Sequence, residues 1–198
     1  VNMSVAIPGM IKEFGLSKIE IGGVLTSLFI AYAAGQFING QLGDNFSAKK
    51  LVAIGLFGST LVNLVFGYTS GILLAMILLW GLNGFFQSMG WAPTVKIVAS
   101  WFPTHKRGKA SGILGSSYQI GNAVSWLLAG FVAGHLGWRF VFWVPPVIAL
   151  LILIGWVNRL KEKAEDGGFE PVEIVRETNG FRDTIGSTLR NRKIWTVA

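Results

Sequence analysis

Charged residues fall along this chain in bands, with long apolar stretches between them. Ile21 to Gly43 contains no Asp, Glu, Lys or Arg, and neither does Leu51 to Val95, where only Gly67-Tyr68-Thr69-Ser70-Gly71 reads as a turn. Ala110 to Trp138 is free of charge apart from His135, and Phe140 to Asn158 is free of it altogether. A helix needs about 20 apolar residues to cross the hydrocarbon core of a bilayer, so these runs predict five complete spans. Val1 to Met10 is apolar but too short to cross, and reads as the outer half of a first span. The fold class is therefore an all-α membrane protein. Residues 1–158 form a transmembrane bundle with helices at about 1–14, 19–43, 51–69, 72–98, 110–135 and 139–158, the first of them truncated.

Local signals refine those elements. Ser17 and Glu20 have the spacing of a capping box at the start of the second helix. Asp44, in the tight loop before the third helix, is placed to accept from a neighbouring helix N-terminus. Pro93 lies near the inner end of the fourth helix and predicts a kink there. Gly108, Gly112, Gly115, Gly121, Gly130 and Gly134 make the fifth helix rich in small residues, the usual packing signal between membrane helices. Residues 159–192 mix both signs of charge and include Gly167-Gly168 and Pro171, so they read as a cytoplasmic connector. Phe181, Ile185 and Leu189 would give that connector a short surface helix. Residues 193–198 read as the first turn of a further span.

Polar residues inside the spans are not scattered. Tyr32, Gln36 and Asn39 fall at i, i+4 and i+7 and share one helix face. Asn83, Gln87 and Trp91 occupy the fourth helix, and Tyr118, Gln119 and Asn122 the fifth, while the third and sixth are lipid-like. A single Asn or Gln in a span is ordinarily helix–helix glue. Three helices that each present an aligned polar face point instead to a hydrated path. The candidates along that path are Tyr32, Gln36, Gln87, Trp91, Tyr118, Gln119 and Asn122. The stretch from Asn83 to Gly108 joins this path to a basic inner rim at Lys96, His105, Lys106 and Arg107. Lys96 is close enough to the helix end to snorkel, and reads first as a structural or gating residue.

Composition sharpens the class. Charged residues make up 14% of the 198, against about a quarter in soluble domains, and mean hydropathy is +0.54. The net charge of +7 could suggest nucleic acid, but its distribution argues otherwise. Lys49, Lys50, Lys96, Lys106, Arg107, Lys109 and every basic residue from Arg159 onward fall on one side, and only Lys12, Lys18 and Arg139 on the other. The positive-inside rule makes the richer side cytoplasmic. The chain is thus expected to be multi-pass in an inner or plasma membrane, with its N-terminus and connector cytoplasmic and the bilayer, not nucleic acid, as its surroundings. There is no cysteine, and the two histidines lie far apart, so neither disulfides nor a metal site are expected. No nucleophile–base pair, HExxH motif or phosphate-cradling loop is present; neither catalysis nor a cofactor is expected.

Two stretches carry a family resemblance. Gly40, Asp44, Lys49 and Lys50 resemble the loop signature between the second and third helices of major facilitator superfamily transporters, with Asn45 and Ser47 in place of the usual Arg and Gly. Gly84-Phe-Phe-Gln87-Ser-Met-Gly90-Trp91-Ala-Pro93, followed by Lys96, Trp101 and Arg107-Gly108, is similar to the organophosphate:phosphate antiporters, the glycerol-3-phosphate transporter-like group. Gly168-Phe-Glu-Pro171-Val-Glu173 and Asn191-Arg-Lys-Ile-Trp195 extend the match. The resemblance covers essentially the whole chain and implies the N-terminal six-helix bundle of such a transporter, its partner the C-terminal six-helix bundle of the same chain. It also implies secondary active transport of a small organic anion, of the organophosphate or sugar-acid class, by alternating access with exchange for inorganic phosphate. Gly40, Asp44, Lys49, Lys50, Lys96, Lys106 and Arg107 would form the cytoplasmic gate. Leu114-Gly115 and Tyr118-Gln119 stand where that group has Trp-Asn and His-Asn, and Gln36 stands at its second-helix lysine. Its helix-one arginine would precede Val1. Carboxylate symporters of the same superfamily share the pattern from Asn2 to Pro8, and a transporter-like membrane sensor of such an anion is the alternative from another class.

Overall fold

A computed structural model describes residues 2–172, with the backbone alone at Asp44 and Asn45. The surface helix expected around Phe181, Ile185 and Leu189 and the further span expected at 193–198 lie outside the described residues. Every regular element described is helical: α1 (Asn2–Phe14), α2 (Lys18–Asn45), α3 (Ala48–Phe66), α4 (Leu73–Gln87), α5 (Trp91–Trp101), α6 (Thr104–Leu136) and α7 (Val144–Arg159). Short 3-10 helices at Trp138–Phe142 and Glu165–Gly167 precede and follow α7.

Each boundary has a local cause. The Ser17–Glu20 capping box is formed: the Ser17 hydroxyl accepts from the Glu20 N–H at 3.2 Å, and the Glu20 carboxylate accepts from the Ser17 N–H at 2.8 Å. Ser47 caps α3 by accepting from the Lys50 N–H. Between α3 and α4 the chain turns at Gly71, whose φ of +83° suits glycine and whose Cα faces the Phe14 ring so closely that a Cβ would lie 2.8 Å from it.

Four segments are long and apolar enough to cross a membrane: Lys18–Gly43, Ala48–Phe66, Leu73–Trp101 and Trp138–Arg159. α6 is the longest helix at 33 residues, roughly 50 Å of rise, but it is not among the four. Its glycines, serines and amides dilute its hydropathy. Of the five spans expected from the absence of charge, this one rests on length.

The third of those segments is broken. A single helix was expected over 72–98 with a kink at Pro93; instead α4 stops at Gln87 and α5 begins at Trp91. Proline explains the position. Pro93 has no N–H to give the Met89 carbonyl four residues earlier, and its ring crowds that carbonyl. The break therefore falls before the proline, at Ser88–Gly90, and Pro93 itself sits buried in the first turn of α5. The turn is closed by tight bonds from Met89 N–H to Phe86 C=O (3.1 Å) and from Gly90 N–H to Gln87 C=O (3.2 Å).

The main core gathers Met3, Ala6 and Met10 of α1, Ile21 and Val24 of α2, Phe66 of α3, Met76 and Trp80 of α4, and Phe142. Phe66 is fully buried, its ring 5.0 Å from Trp80 and 4.7 Å from Phe142. α2 and α4 pack backbone to backbone. A Cβ on Gly84 would lie 2.3 Å from the Leu28 carbonyl oxygen, and one on Gly35 would meet the Ser88 hydroxyl. Packing by glycine is thus present among the described helices at positions other than those singled out on α6. At Gly108, Gly112, Gly115, Gly121, Gly130 and Gly134 of α6 an added Cβ meets nothing within 4 Å among the described residues. α6 buries only Ala129 and Val132, near its outer end, and most of its length stands clear of the described helices.

Candidate functional site

Buried amides do structural work in this bundle. Asn83, fully buried on α4, accepts through Oδ1 from the Ser59 hydroxyl (2.7 Å) and from Asn63 Nδ2 (3.1 Å) on α3. Asn39, 1% exposed on α2, donates through Nδ2 to the Ser88 hydroxyl at 2.7 Å, and Ser88 in turn donates to the Phe85 carbonyl. The second contact ties α2 to the break between α4 and α5. Ser27 adds a third cross-link, donating to the Ile77 carbonyl at 3.0 Å.

The seven path candidates behave differently. None of Tyr32, Gln36, Gln87, Trp91, Tyr118, Gln119 or Asn122 makes a side-chain hydrogen bond among the described residues. Tyr32, Gln36 and Asn122 are half-buried, and Gln87 and Gln119 are exposed. Trp91 is 44% exposed and Tyr118 60%, yet their rings meet edge to face with centroids 6.0 Å apart. Trp91 is the first residue of α5, directly after the break that follows Gln87. The structure therefore joins Trp91 to Tyr118 directly. Gln87 belongs to the same break, and Gln36 and Tyr32 lie on α2, which packs on both α4 and α5.

The basic rim divides. Lys96 Nζ donates to the Gly43 carbonyl, which ties α5 to the last turn of α2. Arg107 donates through Nε to the Phe102 carbonyl at 3.0 Å, a local contact across the α5–α6 turn, while Lys106 and Lys50 are exposed. The Lys49 carbonyl accepts from Trp156 Nε1 at 3.1 Å. Gly40 is half-buried within α2, and the side chain of Asp44 lies outside the described residues.

Two clusters were not visible from spacing. On the face opposite this rim, beyond the apolar run of α1, Glu13 accepts from Trp138 Nε1 (2.9 Å) and pairs with Arg139, whose guanidinium also lies 4.5 Å from the Trp138 ring. The Arg139 hydrogen bond and then that of Trp138 hold the Glu13 carboxyl below its ordinary range. At the basic rim, the carboxylate found on the α3 N-terminus is Glu162, from beyond α7. Both pairs join residues more than a hundred positions apart, a separation that helical periodicity does not reach.

The sequence profile of the Major Facilitator Superfamily matches residues 1–198. Over 180 residues the chain is 33% identical to a glycerol-3-phosphate transporter of Bacillus subtilis, covering 88% of this chain and 40% of that protein. It is 31% identical over 172 residues to a probable hexose phosphate transport protein of Chlamydia pneumoniae, covering 87% and 38%. It is 29% identical over 171 residues to a membrane sensor protein, UhpC, of Salmonella typhimurium, covering 86% and 38%. The chain thus spans about two-fifths of the length of these relatives.

Proposed function

The chain belongs to the Major Facilitator Superfamily and is a multi-pass membrane protein, and on that premise we propose that it forms the N-terminal six-helix bundle of a secondary transporter for a small organic anion. α4 and α5 together count as one crossing, so α1, α2, α3, α4–α5, α6 and α7 supply the six. One observation carries the reading. The bundle gives its buried amides Asn39 and Asn83 packing partners at one side-chain atom each, Nδ2 and Oδ1, yet leaves seven polar or amphipathic side chains on α2, α4–α5 and α6 with no side-chain hydrogen bond among the described residues. Such groups are costly against hydrocarbon and belong against water or solute.

In this proposal the Gln87–Trp91–Tyr118 cluster meets the solute, with Gln36 and Tyr32 opposite and Gln119 and Asn122 continuing the face. The C-terminal bundle of the same chain closes the other wall, and the two rock about a midplane site. The N-terminus and connector are cytoplasmic, and the Gly43–Lys96 contact belongs to the inner gate together with Gly40, Asp44, Lys49, Lys50, Lys106 and Arg107. No Asp or Glu lies in the charge-free runs, so no carboxylate there carries a coupling proton. That favours exchange, with inorganic phosphate as counter-substrate and a phosphate ester as cargo; similarity to transporters of glycerol 3-phosphate and hexose phosphate supports the class of cargo.

The test is counterflow. Vesicles reconstituted with the full-length protein and loaded with phosphate should take up labelled glycerol 3-phosphate or a hexose phosphate saturably, with competition among anions of that class. Binding without flux across phosphate esters and sugar acids would overturn transport and leave the sensor reading in its place.

A further inference from the structure

α3 starts badly for a helix. Its first turn contains no acidic residue and holds Lys49 and Lys50, whose charges oppose the positive end of the helix dipole. The missing carboxylate arrives from elsewhere. Glu162 accepts from the Ala48 N–H through Oε1 at 2.7 Å and from the Ser47 hydroxyl through Oε2. Ser47 is the α3 N-cap, so Glu162 occupies the place of a capping acid supplied from 114 residues away.

The backbone around Glu162 is held as well. Its carbonyl accepts from the Ser100 hydroxyl (2.7 Å), and the preceding Lys161 carbonyl accepts from Trp101 Nε1 (3.0 Å), both on the last turn of α5. Ala164 is 3% exposed, and the Phe169 ring meets Trp101 at 5.8 Å. Upstream, Trp156 of α7 donates to the Lys49 carbonyl. Residues 160–169 therefore lie across the cytoplasmic ends of α3 and α5, fastened by side chains at both.

We infer that residues 160–169 are a strap belonging to the first bundle, that Glu162 is its fastening, and that the tether to the second bundle starts no earlier than Phe169. The bundle-rocking part of this inference rests on the transporter reading; the strap itself does not. A connector that is free from Arg159 onward would be about ten residues longer, and a longer tether widens the range of relative placements it permits. Glu162 is thus a positioning residue. It touches no solute and sets how the second bundle is held against the first.

Two readouts on the full-length protein, with any cysteine outside this segment replaced, separate the claims. In an Ala164→Cys background, maleimide labelling should be slow, and Glu162→Ala should accelerate it at least tenfold. Ser47→Ala removes one of the two carboxylate contacts and should give an intermediate rate, which guards against a folding defect as the cause. Labelling unchanged by Glu162→Ala overturns the strap. In counterflow, with Ala164 intact, Glu162→Ala should lower the maximal rate severalfold and leave the half-saturating concentration unchanged, and Glu162→Asp should restore part of it. Faster labelling with an unaltered maximal rate, or a shift in half-saturation alone, overturns the positioning role. Absence of flux in the unsubstituted protein would count against the transporter reading, while the labelling result would still decide the strap.

Discussion

Replacing Gly84 by alanine should force α2 and α4 apart. The added Cβ would lie 2.3 Å from the Leu28 carbonyl oxygen and 3.0 Å from its carbonyl carbon and Cα, all backbone atoms that no rotamer change can move. Restoring ordinary contact requires a separation of about 1 Å. Overpacking of this kind costs about 1–3 kcal/mol. The same separation stretches the Asn39–Ser88 bond from 2.7 Å beyond hydrogen-bonding range. Asn39 is buried and has no other side-chain bond among the described residues, so its desolvated amide adds about 1–3 kcal/mol. Ser27 loses less, because it keeps its bond to the Val24 carbonyl. Better helix propensity returns up to about 1 kcal/mol. The net loss is about 1–6 kcal/mol, a fall in Tm on the order of 2–24 °C by the usual size scaling. Thermal unfolding of the detergent-solubilised protein, followed by tryptophan fluorescence, measures it. Gly155→Ala on α7 is the control, since a Cβ there meets nothing within 4 Å. Equal melting temperatures for the two variants would refute backbone packing between α2 and α4.

Three further outcomes follow from the same contacts. Asn83→Leu should cost about 1–3 kcal/mol by stranding the Ser59 and Asn63 donors and leave solute affinity unchanged, and a double-mutant cycle with Ser59→Ala should show a coupling on the order of 0.6 kcal/mol. Glu13 has a carboxyl pKa depressed by Arg139 and Trp138, so its stabilisation is fully present above the ordinary carboxylate value of 4.5 and is lost as pH falls through the lowered folded value. Acid-induced loosening read by Trp138 fluorescence should therefore appear below that value and be absent in Glu13→Gln. Gln87→Ala and Tyr118→Phe should each weaken solute binding, measured by calorimetry; unchanged affinity in both, in folded protein, would return those residues to packing.

The helical membrane class was legible because charge-free runs report what a bilayer tolerates, residue by residue. The capping box at Ser17–Glu20 was legible for the same reason: its signal lies within four positions. The break at Ser88–Gly90 was half legible. Pro93 announced an interruption, but the carbonyl it disturbs is four residues earlier, so the interruption appears there. Spacing records which residues are small and not which helix comes close: among the described residues the close helix approaches include Gly35, Gly55, Gly58 and Gly84, while the glycines of α6 face none of the described helices within 4 Å. Asn39 and Asn83 looked the same as Gln36 and Gln87 in the sequence. Only the packing of α3 and the break beside Ser88 separates the amides with partners from those without. Glu162 and the Glu13–Arg139 pair were invisible, since each bridges ends of the chain that only the fold brings together.

Water at the proposed path is the most direct test of the account. The chain has no cysteine of its own, so single cysteines can be placed at Gln87, Gln119 and Gln36, and at the lipid-like positions Phe57 of α3 and Ile152 of α7, with any cysteine elsewhere in the protein removed. A membrane-impermeant thiol reagent should label the first three in sealed vesicles, and a phosphate ester or other small organic anion should slow that labelling. Phe57→Cys and Ile152→Cys should stay unreactive. Labelling that is absent at all three path positions, or no greater there than at the two lipid-facing controls, would contradict a hydrated face on α2, α4–α5 and α6.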